Sequence, residues 1–249
     1  GGELRVWNFS AGPAACSDSV MRQAKEEFMN WNGNSGMGFL EMSHRDHGGP
    51  VQSTMVSLQD RLGRLLDVDS DTHQILLMPG GAHQQFSGVP LNLIGDVRDE
   101  EPLLCYVNTG AWAQRAMDHA VKYGKIHVVS ENVGTLHNPA TDWVVPANAK
   151  YVHVCLNETV AGLEYLTDPD PTRIPVRDPK DHSKILMNEK SGKPMTMHDM
   201  GIPLIADATS TLLSRPIKVD NYGVIFASSG KNLGPAGICV VIVKDDLLQ

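Results

Sequence analysis

Short apolar runs alternate with stretches of helical period along most of the chain. Residues 74–78 (QILLM), 103–107 (LLCYV), 126–129, 151–155, 204–206, 223–227 and 238–243 each have the length of a strand. Most are apolar without alternation, which fits strands covered on both faces. After residues 79–81 (PGG) comes a polar, helix-compatible stretch. Residues 111–122 carry apolar side chains at 112, 116, 117, 120 and 121, one stripe of a helix. Ahead of the first strand, residues 17–30 open on a Ser/Asp cap, and residues 51–66 show another apolar stripe. Buried strands separated by helices predict an α/β fold, a mostly parallel sheet with helices on both faces.

One region breaks the pattern. Residues 168–200 are rich in Pro, Asp and Lys and hold no sustained period. They read as a long surface excursion between two strands, of a kind that can be partly disordered.

Composition narrows the function classes. The chain has 249 residues, 41% of them hydrophobic, enough for a real core. Its formal charge is −8 with no long basic run, which disfavours nucleic acid as a partner. The four cysteines are scattered and the ten histidines show no HExxH spacing, so no metal site is expected. No apolar span of about 20 residues is present to cross a membrane. A soluble protein of a reducing compartment, taken as cytoplasmic, is the expectation.

The candidate chemistry sits where apolar strands end. Lys231 follows the run 223–227 in FASSGKNLGPAG (residues 226–237), among small residues that leave its amine accessible. Asp207 closes the apolar segment PLIAD (residues 203–207), where a buried carboxylate needs a cation or hydrogen bonds. In an open α/β sheet both strand ends face one crevice. An amine to hold an aldehyde, and a carboxylate to keep a ring nitrogen protonated, are what pyridoxal phosphate requires. Taken singly, Lys231 is equally a solvated lysine and Asp207 a helix cap. The glycine turn at 79–81 leads into a helix start, whose free backbone N–H groups suit a phosphate or simply open a helix. Trp112, in NTGAW (residues 108–112), is a stacking surface for a flat ring or plain helix packing. Thr159, in NET (residues 157–159), bonds a ring substituent or caps a turn.

Seven segments then fit one family in order. They are NFSAGPA (8–14), LEMSHRD (40–46), PGGAHQQFSGVPLNLIG (79–95), NTGAWA (108–113), LNETVAG (156–162), the stretch 205–237 and VIVKDDLL (241–248). Together they resemble the phosphoserine aminotransferases, class-V, fold-type I pyridoxal-phosphate enzymes. The resemblance covers nearly the whole chain outside 168–200. It implies a fold-type I aminotransferase large domain over residues 1–249, with the family's C-terminal small domain absent. It implies that Lys231 bonds the cofactor aldehyde and that Asp207 faces the ring nitrogen. Trp112 corresponds to the stacking aromatic and Thr159 to the residue near the ring hydroxyl. Ala82 and His83 match the phosphate-holding turn, and His44 and Arg45 the pair contacting the substrate's acidic groups. The implied reaction is transamination between glutamate and 3-phosphohydroxypyruvate. Its partners are small amino-acid and 2-oxo-acid substrates and a second copy in a homodimer.

The chain departs from the family in three places. Gly230 stands where a glutamine usually touches the cofactor phosphate, so that contact is lost or moves to Ser228 or Ser229. Ala82 replaces a third glycine, and Ala11 a serine found in some members. Two alternatives remain open at this point: another class-V aminotransferase or desulfurase, and a cofactor-binding piece without turnover.

Overall fold

The computed structural model describes residues 5–95, 101–133 and 139–248. Its helices are α1 (Asp18–Glu27), α2 (Pro50–Leu66), α3 (Ala82–Leu93) and α4 (Ala111–Ala120). The longer strands are β1 (His73–Pro79), β2 (Leu103–Asn108) and β3 (Lys125–Glu131). Next come β4 (Val145–Pro146), β5 (Ala149–Cys155), β6 (Asn157–Glu158), β7 (Leu163–Glu164) and β8 (Val176–Arg177). The series ends with β9 (Leu204–Asp207), β10 (Val224–Ser228) and β11 (Ile238–Lys244).

Local chemistry sets the helix ends. Ser17 caps α1 by accepting from the Val20 N–H. Pro50 opens α2, where its missing N–H costs nothing. α2 closes at Asp67, which adopts a left-handed conformation (φ 53°) and bonds back to Gly63.

Seven strands make one sheet in the order β1-β11-β10-β9-β5-β2-β3. Neighbours are parallel except around β11, which runs against both β1 and β10. Successive side chains point to opposite faces, and the core divides accordingly. On one face Phe86 and Val89 of α3, with Ala116, Met117 and Ala120 of α4, pack on Tyr106, Tyr151, Ile205 and Phe226. On the other face Val152, Val154, Leu204, Ile225 and Ile242 are covered by Leu62 and Leu66 of α2. Trp143, Tyr165, Ile174, Val176, Met197 and Ile217 complete that cover.

The expected surface excursion at 168–200 is corrected in part: residues 179–194 are exposed or half-buried, but the segment's two ends enter the core. Ile174, Val176 and Met197 are fully buried in the core. β8 pairs with β4, and Met197 N–H bonds Ile174 O at 2.9 Å. The Asp and Asn side chains make turns: Asp170 accepts from Thr172 N–H, Asp178 from Lys180 N–H and Asn188 from Lys190 N–H. Buried residues are thus separated by turns, so no helical or strand period can show. Ile174→Ala is expected to cost about 2–5 kcal/mol, the usual penalty for truncating a buried aliphatic side chain. A urea-unfolding midpoint unchanged from wild type would contradict a core role for this segment.

Candidate active site

The parallel strands β1, β2, β5, β9 and β10 all end at one edge of the sheet, where ligands bind in open α/β sheets. A cavity of about 390 Å³ opens there. It is lined by Gly81, Ala82 and His83 after β1, Trp112 after β2, and Cys155, Asn157 and Thr159 from the end of β5 onward. Asp207 ends β9 in its wall, and Ser228, Gly230 and Lys231 come from β10 and the turn beyond. Ala11, Gly12 and Pro13 of the N-terminal segment close one side.

Lys231 reaches this space with its Nζ donating to Ala11 O at 2.7 Å. A β-carbon on Gly12 would sit 2.9 Å from that nitrogen, so the glycine leaves room for the amine. Asp207 is 5% exposed and accepts the Thr209 N–H at 2.9 Å. Desolvation pushes its carboxyl up to about 6, with a smaller push from the Glu158 carboxylate. It has no ion-pair partner among the described residues. A buried carboxyl without a cation, on a cavity that also holds a lysine, fits a cationic ring nitrogen as its partner.

Trp112 is fixed at two points. Its backbone N–H faces both carboxylate oxygens of Glu158 at 3.1 Å, and its indole Nε1 donates to Thr159 Oγ1 at 3.0 Å. The Arg115 guanidinium lies 5.2 Å from the indole centroid, and His83 meets the same ring edge-on at 5.9 Å. At the start of α3 the cap, Gly81, brings no side-chain hydrogen bond. The first N–H groups of this helix have no partner within it and can hold an anion.

Gly230 also has a physical account. A β-carbon there would lie 3.1 Å from Ala236 Cβ and 3.7 Å from Pro13 Cβ, so a side chain at 230 would press on Ala236. Of the two candidate substitutes, Ser229 is buried and its hydroxyl donates to Pro235 O at 2.6 Å. Ser228 lines the cavity instead, and a β-carbon on Gly81 would lie 3.6 Å from its Oγ.

Of the residues singled out in the sequence, Ala82, His83, Trp112, Thr159, Asp207, Gly230 and Lys231 share this cavity. His44 and Arg45 do not line it. They are exposed, between the short 3₁₀ turn Phe39–Glu41 and α2. The sequence reading missed the Ala11 carbonyl, Thr209 and Glu158. Only Glu158 left a trace, as an acid directly after a buried strand.

The chain matches the sequence profile of the family described as "Aminotransferase class-V" over residues 6–168 and 193–249. The phosphoserine aminotransferase of Janthinobacterium sp. is 38% identical over 247 residues, 98% of this chain and 59% of that protein. That of Nitrosomonas europaea is 37% identical over 248 residues, 98% of this chain and 60% of that protein. The phosphoserine aminotransferase structure from Bacillus circulans subsp. alkalophilus superposes with a TM-score of 0.78 at 33% identity, over 98% of this chain and 58% of that one. The pyridoxal-phosphate-bound enzyme from Trichomonas vaginalis gives 0.75 at 33% identity, over 98% and 59%. The chain thus spans about three fifths of the length of the relatives it matches. The profile leaves residues 169–192 unmatched, within the segment whose pattern breaks in the sequence. With its mostly parallel sheet and its lysine and aspartate at one strand-end cavity, the chain belongs to the class-V aminotransferase family.

Proposed function

We propose that this chain is the cofactor-binding part of a pyridoxal 5′-phosphate-dependent phosphoserine transaminase. In that reaction an amino group passes from glutamate to 3-phosphohydroxypyruvate, giving 2-oxoglutarate and phosphoserine for serine biosynthesis. The observation that carries the reading is the meeting of Lys231 and Asp207 in one cavity. When bound, pyridoxal phosphate supplies an electron sink for the pair left on the substrate's α-carbon.

The chain's own residues do the rest. Lys231 holds the cofactor aldehyde through its amine, then serves as the base that takes the substrate's α-proton. Asp207 keeps a proton on the ring nitrogen. Trp112 lines the cavity and keeps water off the ring. Thr159 presents a hydroxyl that already accepts from the indole, leaving its own proton for a ring oxygen. The Ala82 and His83 N–H groups and the Ser228 hydroxyl are the phosphate contacts.

His44 and Arg45 are the proposed contacts for the substrate's acidic groups, a role that suits a forked guanidinium. Since they lie outside the cavity of their own chain, a second copy in a homodimer is the proposed route by which they reach a site. Exposed Trp7 and Phe9, beside the cavity-lining segment, fit an interface on that side. The four free cysteines fit a cytoplasmic setting. Among the described residues no helix is long and apolar enough to cross a membrane.

The test is spectroscopic. After unbound cofactor is removed, pyridoxal phosphate is expected to leave on the protein a visible absorbance band shifted to the red of the free aldehyde's, and glutamate is expected to bleach it. Phosphohydroxypyruvate, but not pyruvate or glyoxylate, should restore the band. Absence of a band would overturn the proposal, and a band indifferent to glutamate would assign binding without transamination.

A further inference from the structure

We infer that Glu158 is a positioning residue that ties β6 to the first turn of α4 and so holds Trp112 as the cavity wall. The inference rests on the cofactor reading of that cavity. Glu158 is fully buried, yet it has no salt-bridge partner among the described residues. A buried carboxylate is costly unless hydrogen bonds replace water. Here both oxygens face Trp112 N–H at 3.1 Å, with Ala113 N–H at 3.4 Å and Thr109 Oγ1 at 3.5 Å from Oε2. The two backbone N–H groups belong to the first turn of α4, the positive end of its dipole.

The helix cannot supply this cap itself, because its own capping position is Gly110, which has no side chain. Nor could another residue stand there unchanged. A β-carbon on Gly110 would lie 2.6 Å from Glu158 Cγ, and the φ of +149° is one that side chains rarely adopt. Glycine at 110 and glutamate at 158 are therefore two halves of one joint. Thr159, the next residue, takes the indole Nε1. Consecutive residues of one loop grip Trp112 by its backbone and by its ring, which leaves the indole little freedom to turn.

A local helix cap alone would stabilise the turn without affecting the cofactor, and two measurements separate these roles. Amide hydrogen exchange of residues 111–114 in cofactor-free protein reports the turn. The dissociation constant for pyridoxal phosphate and the circular dichroism induced in its absorbance band report the wall. In Glu158→Ala, exchange at 112 and 113 is expected to quicken by roughly 10–100-fold, the loss of one charge-assisted hydrogen bond or two. Cofactor affinity should fall by about tenfold or more, with loss of the induced signal. Glu158→Asp withdraws the carboxylate by one methylene and should move both readouts the same way by less. It decides the question should the alanine variant fail to fold. Faster exchange with wild-type affinity and dichroism would reduce Glu158 to a cap and overturn the inference. Wild-type values in both readouts for either folded variant would overturn it equally. A wild-type chain that binds no pyridoxal phosphate would instead remove the cofactor reading itself, a result distinct from equal binding by wild type and Glu158→Ala.

Discussion

Replacing Lys231 with alanine is expected to abolish the visible band formed with pyridoxal phosphate and to cut transamination by about 10²–10⁴-fold, the worth of one positioned proton-transfer group. Lys231 is the one lysine lining the cavity among the described residues, so no neighbouring amine stands ready to replace it. Its Nζ is held by the Ala11 carbonyl, a neutral acceptor that leaves the amine free to change partner. The fold should tolerate the change, because the side chain is only half-buried and forms no salt bridge among the described residues. Thermal melting and absorbance are to be read on the same sample. A native melt with no band is the expected pair of results. A native melt with the band retained would move the covalent attachment to another residue and undo the site as described.

Much of the frame was legible because burial on both faces leaves an unmistakable mark. The strands at 103–107 and 238–243 are apolar throughout, and the structure extends each by a single residue, Asn108 and Lys244. The helix read at 111–122 ends at Ala120. Strand order was not legible, since nothing local records which strand a given one pairs with. The reversal of β11 between β1 and β10 is a case in point, as its ICVVIVK reads like any parallel strand. Helices lie on both faces, as the pattern of the sequence predicts. α3 and α4 cover one face, while α2 shares the other with segments whose buried residues stand singly between turns. In the site, Lys231, Asp207 and Trp112 were visible because a polar or aromatic residue at a strand end is conspicuous. Glu158 was overlooked because its partners are backbone N–H groups 45–46 residues earlier in the chain, which no pattern of side chains encodes.

Asp207→Asn is expected to stabilise the cofactor-free protein while disabling the site. Burial raises this carboxyl from its ordinary 3.8 to about 6. Between those values the folded protein keeps a proton that the unfolded chain has lost. Stability therefore falls as pH rises through this window and levels off above about pH 6. A rise of that size corresponds to about 3 kcal/mol of destabilisation at neutral pH. Asparagine has nearly the same shape, can still accept the Thr209 N–H, and has no charge to desolvate. The variant should gain roughly 1–3 kcal/mol over wild type at pH 8 and less at pH 5, as seen by denaturant unfolding without cofactor. Saturating pyridoxal phosphate should shrink or reverse the gain, because a cationic ring nitrogen stabilises the wild-type carboxylate and leaves asparagine indifferent. Transamination should fall by at least about 10²-fold, the cost of removing one electrostatic contact from a reacting centre. An asparagine variant with wild-type activity and no pH-dependent gain would mean that the Asp207 charge is neither desolvated nor used, and the cavity would lose its ring-nitrogen partner. The expected trade of stability for function follows from one carboxylate being held, without a cation among the described residues, where a bound cationic ring nitrogen can pair with it.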